Sequence, residues 1–157
     1  MKMMGISYDT YNLIVTNRRM IFAQLTSAML NAAIVEAQAK AKAEGKGFFG
    51  IVGDQMAVQF QYARRYELMA PDVVLAETPG NTALENAAIS AIDLRVLSDD
   101  DTGYSQFVMP IKSSAGKAEY RIGEDDRFTN ILKTAYADRV HMPFGYFRVG
   151  GMKIKFF

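Results

Sequence analysis

The hydrophobic period changes along this chain, and those changes constrain the fold more than any other feature. Apolar side chains recur at helical spacing over residues 26–44 and again over residues 54–70. From Thr82 to Ile122 they recur at every second position, the period of a strand with one buried face. Helical spacing then returns at Phe128, Ile131, Leu132, Ala135 and Tyr136. Strands gathered in one stretch and helices segregated in others predict an α+β fold, not a doubly wound parallel sheet.

Local signals place the elements. Tyr11 to Leu25 predicts a β-hairpin turning at Thr16-Asn17-Arg18. Thr26 or Ser27 caps a first helix, which Gly45 stops. Its stripe of Met29, Ala33, Ala37 and Ala41 is thin enough for close packing. Asp54 caps a second helix running to Ala70, with Met56, Phe60 and Ala63 on one stripe and Tyr62, Tyr66 and Met69 on the next. Pro71 ends it, and residues 72–77 form one further turn. The strands of residues 82–122 follow, turning at residues 99–103 and 113–116. Acidic residues 124–126 open the third long helix at its positive end. Residues 146–157 read as a terminal hairpin about Gly150-Gly151. A chain of 157 residues is long enough to bury a core without covalent staples, and a single domain over 1–157 is expected.

Several chemistries lack their parts. There is no cysteine, which excludes disulfides, thiolate catalysis and cysteine-ligated zinc. One histidine cannot make a two-histidine metal site, and no G-x-S-x-G elbow accompanies it. His141 is expected beyond the third helix, where a positive charge suits the helix dipole. Gly45-Lys46-Gly47-Phe48-Phe49-Gly50 matches a dinucleotide fingerprint by letter, but a helix precedes it where a strand is required. Asp101-Thr102-Gly103 spells an aspartic protease triplet, yet Asp99 and Asp100 beside it predict a wet turn. That acidic cluster also lacks the spacing of a calcium loop. No catalytic residue, metal or cofactor is therefore expected. A net charge of +1 gives no ground for nucleic-acid binding. No run approaches the ~18 apolar residues of a spanning helix. Lys2 and Met3-Met4-Gly5-Ile6 make no signal peptide, so a cytoplasmic address is expected.

The segment Asn12-Leu13-Ile14-Val15-Thr16-Asn17-Arg18-Arg19-Met20-Ile21-Phe22 resembles the opening hairpin of prokaryotic pleckstrin-homology-like domains. Ala88 to Ile92 resembles a later strand of that family, and Tyr104 to Val140 its following strands and closing helix. The resemblance covers about two-thirds of the chain. It implies an antiparallel β-barrel or curved sheet closed by a C-terminal amphipathic helix. Here two helices over residues 26–77 interrupt that pattern after the first hairpin, and residues 141–157 extend it. Members of this family are generally not enzymes, so a binding or assembly role is implied.

Three sets of residues are candidate surfaces. Arg18 and Arg19 at the hairpin turn offer forked donors for an anion, although neighbouring strand positions point to opposite faces. Tyr62, Tyr66 and Met69 give the second helix more apolar surface than one core contact needs. Met152, Ile154 and Phe156 alternate with Lys153 and Lys155, making one face of the last strand apolar at a chain end. The reading is a non-catalytic module that self-associates into a homo-oligomer or docks on a protein partner. Its rivals are a small-ligand, lipid or anion-binding domain, compatible with peripheral lipid contact, and an enzyme using carboxylates such as Asp93 or Glu119.

Overall fold

A computed structural model of the chain describes residues 9–45, 55–98, 105–143, 146–149 and 152–155. The fold is α+β. Contacts divide the chain into two compact units, Met1–Ile14 with Ile21–Ala83 and Val15–Met20 with Leu84–Phe157.

The first unit is largely helical. The hairpin strands β1 (Tyr11–Val15) and β2 (Arg19–Gln24) join β3 (Thr82–Glu85) in a sheet of order β1-β2-β3. Thr26 caps α1 (Ser27–Ala43), its hydroxyl accepting from the Met29 N–H at 3.2 Å. Gly45, at φ +72, follows the helix in the left-handed region that glycine adopts without penalty. Among the described residues α1 buries no side chain fully. Its alanine stripe is half-buried, and α1 lies against α2 (Gln55–Arg64). Past α2 the chain tightens into a 3₁₀ turn, Arg65–Leu68, which was expected to continue the helix. Pro71 then opens α3 (Pro71–Glu77), at the first-turn position that needs no N–H. The core of this unit is Ile21, Ala23, Tyr66 and Val74, with Ile14, Tyr62, Met69, Leu75 and Ala83 packed against it. Asn81 ties the loop to the sheet: its side chain donates to the Val74 carbonyl and accepts from the Gln24 N–H, both at 2.7 Å.

Among its described residues the second unit holds a mixed five-stranded sheet, one α-helix and the C-terminal hairpin. The strands β4 (Ile89–Asp93), β5 (Arg95–Ser98), β6 (Ser105–Ser113), β7 (Gly116–Gly123) and β8 (Val140–His141) follow a 3₁₀ turn at Asn86–Ala88. Their order is β5-β6-β4-β8, and β7 pairs with β6. All pairs are antiparallel except β4 with β8, which is parallel. Ile92 lies opposite Ile111 and Arg95 opposite Val108, so β4 and β5 keep one register along β6. By that register Leu94, where the strand breaks, falls opposite Met109, and Asp93 just before it falls opposite Pro110, which has no N–H to give a ladder. At the break the Leu94 N–H donates to the His141 carbonyl at 2.8 Å.

One face of this sheet is buried through Ile89, Ile92, Phe107, Met109 and Ile111. The helix α4 (Asp126–Tyr136) is capped by Asp125, whose carboxylate accepts from the Arg127 N–H at 2.8 Å. Its buried stripe is Thr129, Leu132 and Tyr136. This corrects the expected stripe, because Ile131 stands 48% exposed. Among the described residues no barrel closes: the strands fall into three sheets, not the single closed sheet the barrel expectation requires. The third sheet is the C-terminal hairpin, β9 (Tyr146–Val149) with β10 (Met152–Lys155), in the expected place. No helix among the described residues is long and apolar enough to cross a membrane.

Candidate functional site

The second unit carries a long, charged sheet edge. A turn at residues 113–116 delivers the chain into β7, with Gly116 at φ +120, a conformation open to glycine and strained for other residues. There the Ser113 hydroxyl accepts from the Ala115 N–H and donates to the Gly116 carbonyl, both at 3.3 Å. The eight residues of β7 then pair with β6 from Ser113↔Gly116 to Gln106↔Gly123. Among the described residues β7 pairs with β6 alone.

Side chains alternate across this strand. Ala118, Tyr120 and Ile122 stand opposite the buried Ile111, Met109 and Phe107. Lys117, Glu119 and Arg121 point the other way and are exposed. Glu119 accepts from the Arg95 guanidinium of β5 at 2.9 Å, across the intervening β6. The solvent face of the edge thus reads cation, anion, cation. Glu119, an enzyme candidate on sequence grounds, is half of a surface ion pair.

Asp93, the other such carboxylate, sits at the break opposite Pro110. It receives His141 Nδ1 at 2.6 Å and Lys112 Nζ at 3.1 Å, joining β4 to β8 and β6. These partners, His141 foremost, hold the Asp93 carboxyl below its ordinary range. His141 is therefore placed by Asp93 on a strand rather than by the end of α4, which corrects the dipole expectation. Among the described residues no three histidine, aspartate or glutamate side chains gather to hold a metal ion.

The hairpin turn is organised by Thr16. Its hydroxyl accepts from the N–H groups of Arg18 at 3.2 Å and Arg19 at 3.0 Å, and donates to the Arg19 carbonyl at 2.8 Å. The backbone donors an anion would use are thus engaged, leaving the exposed Arg18 side chain as the available group. The turn is anchored by Asn86, which no sequence signal marked. Asn86 donates its N–H to Arg18 O at 2.8 Å and its side-chain amide to Thr16 O at 2.9 Å. Its side-chain oxygen accepts from the Tyr136 hydroxyl at 2.7 Å, and its carbonyl from Arg139 at 2.6 Å. Arg139 also donates to Ile89 O at 2.8 Å and lies over the Tyr136 ring.

In the first unit, Tyr66 is buried in the core, and Tyr62 and Met69 pack against that core. Arg65 lies over both tyrosine rings and pairs with Glu77, which also accepts from the Tyr66 hydroxyl at 2.8 Å. Burial, then the Glu77 hydrogen bond, pushes the Tyr66 hydroxyl pKa up; burial is also the leading cause for Tyr62. Leu68, beside this cluster, is 94% exposed. In the C-terminal hairpin Met152 pairs with Val149 and Ile154 with Phe147. Phe156, the side chains of Met152 and Ile154, Gly47 to Gly50 and Asp101 to Gly103 lie outside the described residues.

A scan against protein-family models, a search of curated proteins and a search of solved structures return no match to this chain.

Proposed function

We propose that this chain is a non-catalytic assembly module of the pleckstrin-homology-like kind, working through association with protein surfaces, a second copy of itself included. One observation carries the reading: the eight-residue β7 has a single strand partner among the described residues, which makes it an edge of its sheet there. Such an edge is a template for another strand. The opening hairpin motif and the amphipathic helix after the strands support the family reading. The carboxylates best placed for chemistry, Asp93 and Glu119, are spent in ion pairs with Lys112, His141 and Arg95.

Sedimentation equilibrium on the native chain tests this. A mass rising above 17.5 kDa with concentration is the expected result. A monomer at every concentration up to the millimolar range, together with failure to capture any extended peptide, would remove the assembly reading.

A further inference from the structure

We infer that His141 is a modification site: its Nε2 accepts a phosphoryl group from a small donor of the phosphoramidate class. The inference stands apart from the assembly reading, since it assigns a single transfer onto the chain and no turnover of substrate.

The geometry begins with the strand that carries His141. β8 is two residues long. It is held by the pairs Ile92↔Val140 and Asp93↔His141 and by the Leu94 N–H, which donates to the His141 carbonyl at 2.8 Å. The backbone of residue 141 is thus fixed against β4, and its ring is fixed as well. Nδ1 lies 2.6 Å from Asp93 Oδ1, while Lys112 Nζ lies 3.1 Å from Asp93 Oδ2, so each oxygen of one carboxylate holds a partner. Those partners, His141 first, keep the Asp93 carboxyl below its ordinary range, so at neutral pH it is ionised and only accepts. Nδ1 therefore carries the proton of that bond. In the neutral ring the lone pair then sits on Nε2, and the side chain is 57% exposed. An imidazole oriented by a carboxylate at one nitrogen and open at the other is built to act as a nucleophile.

The surroundings favour an anionic electrophile. Lys112 and Lys117 stand directly opposite each other on β6 and β7, and both are exposed. Like charges so placed destabilise a strand pair, and an anion beside them relieves the repulsion. The Lys112–Asp93 contact brings this cationic pair next to His141. Phosphoryl oxygens gain from those cations, whereas a neutral ester or amide does not. The step balances. Nε2 gives its lone pair to phosphorus, the P–N bond of the donor breaks, and the amine leaves with that electron pair, its nitrogen already protonated in the donor. No proton leaves the ring, because Nε2 carried none. The ring becomes a phosphorylated imidazolium, and Asp93 already faces its positive charge through Nδ1–H.

Treatment of the full native chain with phosphoramidate, followed by intact mass, tests this. His141 is the sole histidine, so one variant locates the adduct. The native chain should gain one phosphoryl group, stable in alkali and lost in brief acid. It should do so about tenfold or more faster than N-acetylhistidine, the scale on which supporting hydrogen bonds act. His141→Gln should gain none. Asp93→Asn keeps the histidine but removes the charge that orients it, and its rate should fall toward that of N-acetylhistidine. Lys117→Ala should raise the phosphoramidate concentration giving half the maximal rate and leave the maximal rate unchanged. Far-ultraviolet circular dichroism confirms that each variant is folded. A native chain no faster than N-acetylhistidine would overturn the proposal, and so would an adduct that persists in His141→Gln. A native rate in Asp93→Asn would overturn the positioning role of Asp93. An unchanged half-maximal concentration in Lys117→Ala would overturn the role of the lysine pair.

Discussion

Replacing Tyr136 by Phe removes one hydroxyl from the centre of the second unit. That side chain is 1% exposed, and its hydroxyl donates to Asn86 Oδ1 at 2.7 Å. Phe fills the same volume, so little packing is lost and the effect isolates the hydrogen bond. Asn86 Oδ1 is left without its donor, in a residue whose other groups hold Thr16, Arg18 and Arg139. Leaving one acceptor of this kind unsatisfied costs about 1–3 kcal/mol. The size of the loss should also depend on pH. Burial pushes the Tyr136 pKa up to about 12, from an ordinary value of 10.0. A raised pKa means the folded state favours the neutral phenol. The stability contributed is complete below the ordinary value and is lost as pH rises through the folded one. The slope for one such group approaches ~1.4 kcal/mol per pH unit. Urea titrations of both proteins, at neutral pH and at steps into the alkaline range, measure this. The variant should unfold at lower urea with an unchanged m-value, and its deficit should shrink as the native protein loses its own advantage above pH ~10. An unchanged neutral midpoint would refute the hub described around Asn86, and a constant deficit at all pH values would refute the burial of the phenol.

Other perturbations probe other parts of the account. Leu132→Ala empties a buried position on α4 and should cost roughly 2–5 kcal/mol by chemical denaturation, with an effect below ~1 kcal/mol placing that residue outside the core. Asp93→Asn should lower stability at neutral pH, with the gap closing as acid is added. The depressed Asp93 pKa contributes stability above the ordinary aspartate range and loses it as pH falls through the folded value. Stability curves that stay parallel into acid would show that Asp93 gains nothing from His141 and Lys112. Arg18→Ala should change stability by less than about 0.5 kcal/mol, since the exposed side chain lies outside the Thr16 and Asn86 bonds that hold the turn.

What could be read from the sequence is what local physics determines. The hairpin of β1 and β2 follows from alternation on either side of a turn-forming Thr16-Asn17-Arg18, and Thr16 organises that turn through its own hydroxyl. The helix capped by Thr26 begins where a side-chain oxygen can satisfy a free N–H, and the acidic residues 124–126 mark the start of α4 through its dipole, with Asp125 as the cap found in the structure. Less legible was which flank of a helix faces inward. Both Ile131 and Leu132 suit a core, and only tertiary placement selects Leu132. The strand break was hidden because Ile92, Leu94 and Val96 alternate smoothly through it. Pro110, which faces Asp93 beside the break and has no N–H to offer it, lies on a different strand. Asn86 bonds to Thr16 and Tyr136 at separations of 70 and 50 residues, which no local pattern encodes. The β7 edge was half visible. The alternation of Lys117, Glu119 and Arg121 can be read directly, but a strand's place at the rim of a sheet is a property of topology.

Association with protein surfaces, a second copy included, is the central claim, and sedimentation equilibrium of the native chain across a range of concentrations tests it most directly. The proposed role predicts a mass that rises above 17.5 kDa with concentration. A mass that stays at 17.5 kDa up to the millimolar range, with no capture of an extended peptide, would contradict it.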